Sequence, residues 1–433
     1  MYYALREIAE LTKYKPEFGV LCFIDDIAYV YLNKRGLTII EEMGKILQYI
    51  AKETQGECFA SFKYCYDNIA TPHIEYETGE SLYKNLKDYA EDVRDPKSRD
   101  MTERARICRK GPPLFKYFLD GSRRVYKVDD IQYDKKVYPI ISGQISVACC
   151  GREMDDNIKF KSFSHVDEEA YPVLCMPITA NGEGGIDPKV FFRNLCDKIN
   201  GQSQFKKTGV HLEKILYYLT QTEGRETLEN KGIAKIQDEM IECEKRIVAR
   251  MMSKHLLTQD SYLIKDGSVQ YKPMKTGDYK ELARIRNNYR HVVGVSKIFN
   301  PNIMLDAKGQ SFAGSIAKLP LYHRTPAILW SPGDEWGNVK FAIWYVRIRD
   351  RHYTSTPYSG ILKIEKMLMT GNEEEYGLST DEIDTITANI INERNPVCYG
   401  SDARWANHLY PVYMTESYCK SRFKSDYYFI NLF

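Results

Sequence analysis

The tripeptide Asp-Gly-Ser occurs twice in this chain, as Asp120-Gly121-Ser122 after Phe115-Lys116-Tyr117-Phe118-Leu119 and as Asp266-Gly267-Ser268 after Ser261-Tyr262-Leu263-Ile264-Lys265. Each copy stands where an apolar run stops. An acid at the end of a β-strand sits on a rigid element, and the glycine behind it lets a ligand come close to the backbone. Two such acids can hold a divalent metal through their oxygens, which makes a metal-dependent enzyme the first expectation. Asp-Gly is also ordinary turn chemistry, and either copy taken alone is equally at home in a plain turn.

The 433 residues suffice for one large domain with insertions or for two to three ordinary ones, and 43% hydrophobic content allows a substantial core. The 61 Lys and Arg nearly cancel the 59 Asp and Glu, leaving a formal charge of +2. Bulk electrostatics therefore neither demands nor excludes a nucleic-acid partner, and only local patches can argue that case. The 11 cysteines form no CxxC pair and no zinc-ligand spacing. Charge stands near Met1 where a secretory signal needs an apolar stretch, and no apolar run approaches a membrane span; reduced thiols in a cytoplasmic protein are the expectation. The 33 tyrosines point to core and half-buried sheet first, and to base stacking second.

Residues 1–105 are expected to form an N-terminal α/β extension, with strands at 19–24 and 27–32 and a helix at 37–53. The charge-dense stretch 92–104 then reads as a linker ahead of Gly111-Pro112-Pro113. Strand signals follow at 114–119, 124–131 and 137–149, separated by turn residues as in an antiparallel meander. Residues 151–209, rich in Gly, Asn and Asp, read as an insertion within a second unit spanning 106–433.

A helix is predicted at 233–255. At 100° per residue Ile236, Met240, Ile247 and Met251 share one face, widened by Ile241 and Val248. Glu244 falls inside that stripe, whereas Glu242 points away and Glu239 lies near its edge. A buried carboxylate is costly unless paired or metal-bound, so Glu244 is either a ligand or one half of a salt bridge. Strands at 262–264, 291–297 and 339–349 and a basic segment at 281–290 complete the pattern. An acid on the first strand, one on the helix and one closing the fourth strand reproduce the ribonuclease H-like (PIWI-like) arrangement. The expected fold is thus α/β, a mixed sheet with flanking helices, plus the N-terminal extension and the insertion.

Six segments occur in an order that resembles the NurA nuclease family, over roughly residues 112–420. They are Phe118-Leu119-Asp120-Gly121-Ser122, the helix bearing Glu244, Leu263-Ile264-Lys265-Asp266-Gly267-Ser268, Val293-Gly294-Val295-Ser296-Lys297, Phe341-Ala342-Ile343-Trp344-Tyr345-Val346-Arg347 and Tyr410-Pro411-Val412-Tyr413. The resemblance implies a Mn²⁺- or Mg²⁺-dependent DNA nuclease, acting on DNA ends and on single strands. It further implies a homodimer that works with a HerA-type hexameric ATPase, in DNA-end repair or in antiphage defence. Carried over position by position, Asp120, Glu244 and Asp266 are the metal ligands and Lys297 is a basic residue beside the scissile phosphate. The family places a His shortly after its Tyr-Pro motif, and this chain departs from that, with Tyr418 near the expected place. Glu416 is then a candidate fourth ligand, and His408 a candidate for proton transfer.

Candidate phosphate contacts are Arg123 and Arg124, the basic-segment residues Arg284, Arg286 and Arg290, and Arg324 behind His323, because the planar guanidinium matches phosphate oxygens. Trp330, Trp336 and Tyr345 are candidates for stacking on unpaired bases. Two other readings compete. A PIWI-type guide-dependent nuclease needs a guide 5′-end pocket and far more chain. A catalytically silent module docking to DNA or to a translocase is opposed by acids at all three core positions.

Overall fold

Three runs of 18 or 19 residues carry the middle of the chain into long strands, and the computed structural model joins them in one sheet. It describes residues 19–21, 30–32, 45–59, 63–66, 89–155, 160–182, 185–221, 227–271, 279–302, 311–331, 339–354, 356–394, 396 and 403–433. The short strands β1 (Gly19–Leu21) and β2 (Val30–Leu32) pair with each other. Strands β3 (Glu57–Cys58), β4 (Tyr64–Cys65) and β5 (Arg99–Asp100) come from the stretch expected to stand apart, yet all three join the main sheet.

The centre of that sheet is an antiparallel meander of three unusually long strands, β6 (Phe115–Tyr133), β7 (Lys136–Met154) and β8 (Phe160–Pro177). Parallel to the end of β8 runs β9 (Lys214–Tyr218). Parallel to the start of β6 runs β10 (Tyr262–Asp266), and beside it β11 (Val292–Ser296). Strands β12 (His323–Arg324), β13 (Ile328–Trp330), β14 (Phe341–Arg347) and β15 (Ile361–Met367) complete it. The order is β5-β12-β14-β15-β11-β10-β6-β7-β8-β9, with β13 on β14 and with β3 and β4 on β6, thirteen strands in all. The protein is therefore mixed α/β, built on a large mixed sheet with flanking helices.

Two expectations are corrected here. Residues 114–119 and 124–131 are not two strands with a turn between them. Gly121 stays extended and pairs with Val147, so Asp120 lies inside β6, opposite Ala148. The segment 160–177 is not insertion but the third meander strand. Its residues are mostly half-exposed until the last five, so it lacks the apolar signature of β7.

Successive residues of a strand face opposite sides of a sheet, and each side has its own core. Leu119 and Leu263 pack with Ile236, Met240 and Ile247 of the 26-residue helix Leu228–Ser253. Phe118, Ile264, Val293 and Val295 pack on the opposite face with Ile383 and Ile386 of the helix Thr380–Asn392 and with Val412 of the helix Tyr410–Ser421. The long helix starts at Thr227, whose side chain accepts from the Asn230 backbone N–H. Among the described residues no helix is long and apolar enough to cross a membrane. The predicted strands at 19–24 and 27–32 and the start of the helix at 37–53 fall partly outside the described residues, as does Trp336 entirely.

Candidate active site

Strand β10 stops one residue beyond the Lys265–Leu119 pairing, so Asp266 ends its strand beside Asp120. Strand β11 ends at Ser296 with Lys297 immediately after it. By alternation Asp120 shares the face of Phe118, Asp266 that of Ile264 and Lys297 that of Val293 and Val295. The helix Tyr410–Ser421 lies on that same face and contributes Glu416. Asp120, Asp266 and Glu416 each offer a carboxylate oxygen, all within 4.8 Å of one another. The Lys297 ammonium reaches two of these groups, at 2.8 Å from Asp266 Oδ2 and 3.4 Å from Glu416 Oε2. From the rim, Lys420 Nζ holds Glu416 Oε1 at 2.7 Å.

Electrostatics follows from this crowding. Asp120 is 5% exposed. Burial raises its pKa well above the usual carboxylate range, the charges of Asp266, Glu416 and Glu244 push the same way, and Lys297 opposes them. Burial lowers the pKa of Lys297, but Asp266, Glu416 and Asp120 outweigh it and raise the pKa of the ammonium overall.

Glu244, expected among the ligands, lines the same cleft but stands outside the three-acid cluster, on a helix that packs on the other side of the sheet. Its helix packs against the face of Leu119 and Gly121, and a Cβ on Gly121 would come within 2.9 Å of Glu244 Oε1. Lys265, whose side chain points to that face, pairs with Glu244 Oε2 at 3.1 Å, and the Tyr271 hydroxyl donates to it at 3.5 Å. Burial raises the pKa of this carboxyl, and Lys265 opposes the shift. Lys265 Nζ also donates to the Asp266 carbonyl at 2.8 Å, which links Glu244 to the backbone of the three-acid cluster. Its two helix neighbours are engaged elsewhere, Glu239 with Lys214 at 2.7 Å and Glu242 with Lys245 at 2.7 Å.

Behind Asp266 the chain crosses directly over β11. Gly267 takes a φ of +86° and donates to the Val295 carbonyl at 2.9 Å. The crossing needs Gly294 beneath it, since a Cβ there would meet the Gly267 carbonyl at 2.9 Å. Beyond the crossing, Glu365 of β15 collects the loop. It accepts from Ser268 Oγ at 2.6 Å, Val269 N at 3.1 Å and Gln270 Nε2 at 2.9 Å, with Lys363 Nζ at 2.6 Å. Sequence reasoning missed Glu365, Lys265 and Gln270. Lys265 and Gln270 flank the second Asp-Gly-Ser, but Glu365 stands in Ile361–Met367 with nothing near it in sequence to mark it.

Asp120, Asp266 and Lys297 border a cleft of about 450 Å³ together with Glu244, Lys265, Gln237, Gln270 and Tyr271. It opens where β10 has ended, as no described strand pairs with residues 120–125 of β6 on that side. Asp120, Glu244 and Asp266 on this cleft, with Glu416 beside them, face the buried Lys265 ammonium and that of Lys297, whose side chain is 11% exposed. An excess of buried negative charge and an all-oxygen donor set fit a hard divalent cation such as Mg²⁺ or Mn²⁺, held by Asp120, Asp266 and Glu416.

Other expected residues are placed differently. Arg324 is 1% exposed and saturated by Glu91 Oε2 at 2.9 Å and Asp384 Oδ1 at 2.6 Å, which leaves it nothing to offer a phosphate. Arg290 is exposed but precedes β11, at the end of the strand opposite Lys297. Arg284 and Arg286 lie on the helix Tyr279–Asn288, where Arg286 pairs with Glu374 at 3.1 Å. Arg124 pairs with Asp426 at 2.8 Å and stacks over Phe423. Arg123 donates at 2.6 Å to Gln237, a residue of the cleft wall. His408 is buried against Tyr413 and does not line the cleft, and Tyr418 donates to Glu168 at 2.5 Å. Trp330 and Tyr345 are both buried, so neither is a surface for stacking; Trp330 Nε1 donates to Gln270 at 3.0 Å.

No family model matches the chain, and no curated protein matches it. Among solved structures it is similar to the NurA nuclease from Sulfolobus solfataricus, at 9% identity over 71% of this chain and 79% of that one. The TM-score of that superposition is 0.36, too low to carry an argument about this chain.

Proposed function

We propose that the chain is a divalent-metal-dependent nuclease that hydrolyses phosphodiester bonds of DNA. The observation that carries the reading is the convergence of Asp120, Asp266 and Glu416 within 4.8 Å beside Lys297, with Asp120, Asp266 and Lys297 lining an open cleft. A bound Mn²⁺ or Mg²⁺ supplies a nucleophilic water at neutral pH and neutralises charge on the phosphate. The three carboxylates would hold it from one strand interior, one strand end and one helix. Lys297 offers a positive charge to an arriving phosphate oxygen, and Arg123, anchored by Gln237 on the wall, meets a neighbouring phosphate. Glu244 and Lys265 fix the Asp266 backbone from beneath.

The order β8-β7-β6-β10-β11, with the last two strands parallel to β6, supports a ribonuclease H-like reading of the sheet centre. The sequence motifs support partnership with a HerA-type ATPase, a homodimer and a cytoplasmic role in DNA-end processing or antiphage defence. The test is cleavage of linear and circular DNA with Mn²⁺, Mg²⁺ or EDTA, by the wild type and by Asp120→Ala and Asp266→Ala proteins. Cleavage that needs the cation and both acids is expected. Full activity in EDTA, or in the folded Asp266→Ala protein, defeats the reading.

A further inference from the structure

Lys297 is placed to do more than wait for a phosphate. Its ammonium lies 2.8 Å from Asp266 Oδ2 and 3.4 Å from Glu416 Oε2, inside a cluster whose donor atoms span 4.8 Å, and its side chain is only 11% exposed. We infer that the Lys297 ammonium and the divalent cation are alternative occupants of this cluster, so that cation entry displaces the lysine toward the cleft. The inference rests on the proposed cation site and concerns what governs its filling.

An ion bound to oxygens of Asp266 and Glu416 at about 2.1 Å leaves those oxygens no room to hold an ammonium in the same place, and two like charges that close repel each other. The exchange is a side-chain motion. The Lys297 carbonyl is held by Asn407 Nδ2 at 3.1 Å, and the same amide donates to the Ile361 carbonyl at 2.9 Å, so the backbone stays in register. Glu416 also stays, because Lys420 grips its other oxygen. Lys297 lines the cleft, so the freed ammonium meets incoming phosphate. Lysine thereby keeps the carboxylates together when no cation is bound and reaches the substrate when one is.

The full chain, stripped with EDTA and dialysed, is titrated with Mn²⁺ by calorimetry and melted with and without Mn²⁺, as wild type, Lys297→Met and Lys297→Arg. The Met protein is expected to bind Mn²⁺ at least tenfold more tightly than wild type, to melt lower without Mn²⁺, and to gain more in melting temperature when Mn²⁺ is added. The Arg protein, still charged, is expected to bind no more tightly than wild type. If the Met protein does not fold without Mn²⁺, Lys297→Gln, which keeps a hydrogen-bond donor and loses the charge, is measured with the same expectation. Equal or weaker binding by the neutral variants overturns the exchange while leaving the nuclease reading standing. Mn²⁺ binding by none of them, matching an Asp266→Asn control, removes the cation site and the exchange together.

Discussion

Three carboxylates border one cleft and a fourth, Glu416, stands beside them, but a strand's alternation divides the four. Asp120, Asp266 and Glu416 share a face with Lys297, while Glu244 shares the other with Lys265. Their substitutions should therefore separate. Asp120→Asn and Glu416→Gln are expected to weaken Mn²⁺ binding by more than about 100-fold, beyond the usual loss on removing an outer partner of a ligand. Glu244→Gln should retain Mn²⁺ binding within that outer-partner range, yet lower stability by about 3–5 kcal/mol because Lys265 stays buried without a counter-charge. Calorimetry and urea unfolding on the same preparations check both. The helical stripe made Glu244's burial legible in the sequence, since Ile236, Met240 and Ile247 fix the face. Which side of the sheet that face would cover was not legible, because it depends on how the helix packs back after the meander. Glu416 was legible only as a candidate, as the helix around it alternates weakly and starts from a Tyr-Pro pair.

At the scale of elements, the loop behind Asp266 holds one of the three acids in place, and Glu365 holds the loop. Burial opposes charge on Glu365, but Lys363, Ser268 and the Val269 N–H outweigh it and keep its pKa below the ordinary value. A depressed folded-state pKa gives stability that is present above the unfolded value of about 4.3 and is lost as pH falls through the folded one. Glu365→Gln is accordingly expected to flatten the acid limb of a plot of urea midpoint against pH and to lower the midpoint at pH 7; an unchanged acid limb would disprove the role. The two Asp-Gly-Ser copies showed where to look and then diverged. Asp266 closes a strand and is followed by a left-handed glycine, as a turn reading requires, whereas Gly121 stays extended and Asp120 is carried mid-strand. Strand β8 escaped notice because both its faces are half-exposed for most of its length, leaving no apolar rhythm to find.

Across the whole molecule, a buried guanidinium ties together parts of the chain far apart in sequence. Arg324 joins Glu91 to Asp384, next to the pairing of β5 with β12. Arg324→Ala is expected to cost about 3–5 kcal/mol in unfolding experiments, by stranding Glu91 in the interior. It should leave the salt dependence of DNA binding by the folded protein unchanged. Arg123→Ala should do the reverse, reducing the slope of log affinity against log salt by about 0.7–0.9 while sparing stability, the signature of a lost phosphate contact. The cleft also has a consequence in time. Asp120 and Glu416 are 296 residues apart, with Asp266 and Lys297 between them. At about 5–20 residues per second, a ribosome needs roughly 15–60 s to bring the last acid out after the first. By the later part of that interval the growing polypeptide already carries the long meander and the pair of aspartates, but not the third carboxylate. The three-acid cluster is therefore completed late, once the helix bearing Glu416 has docked.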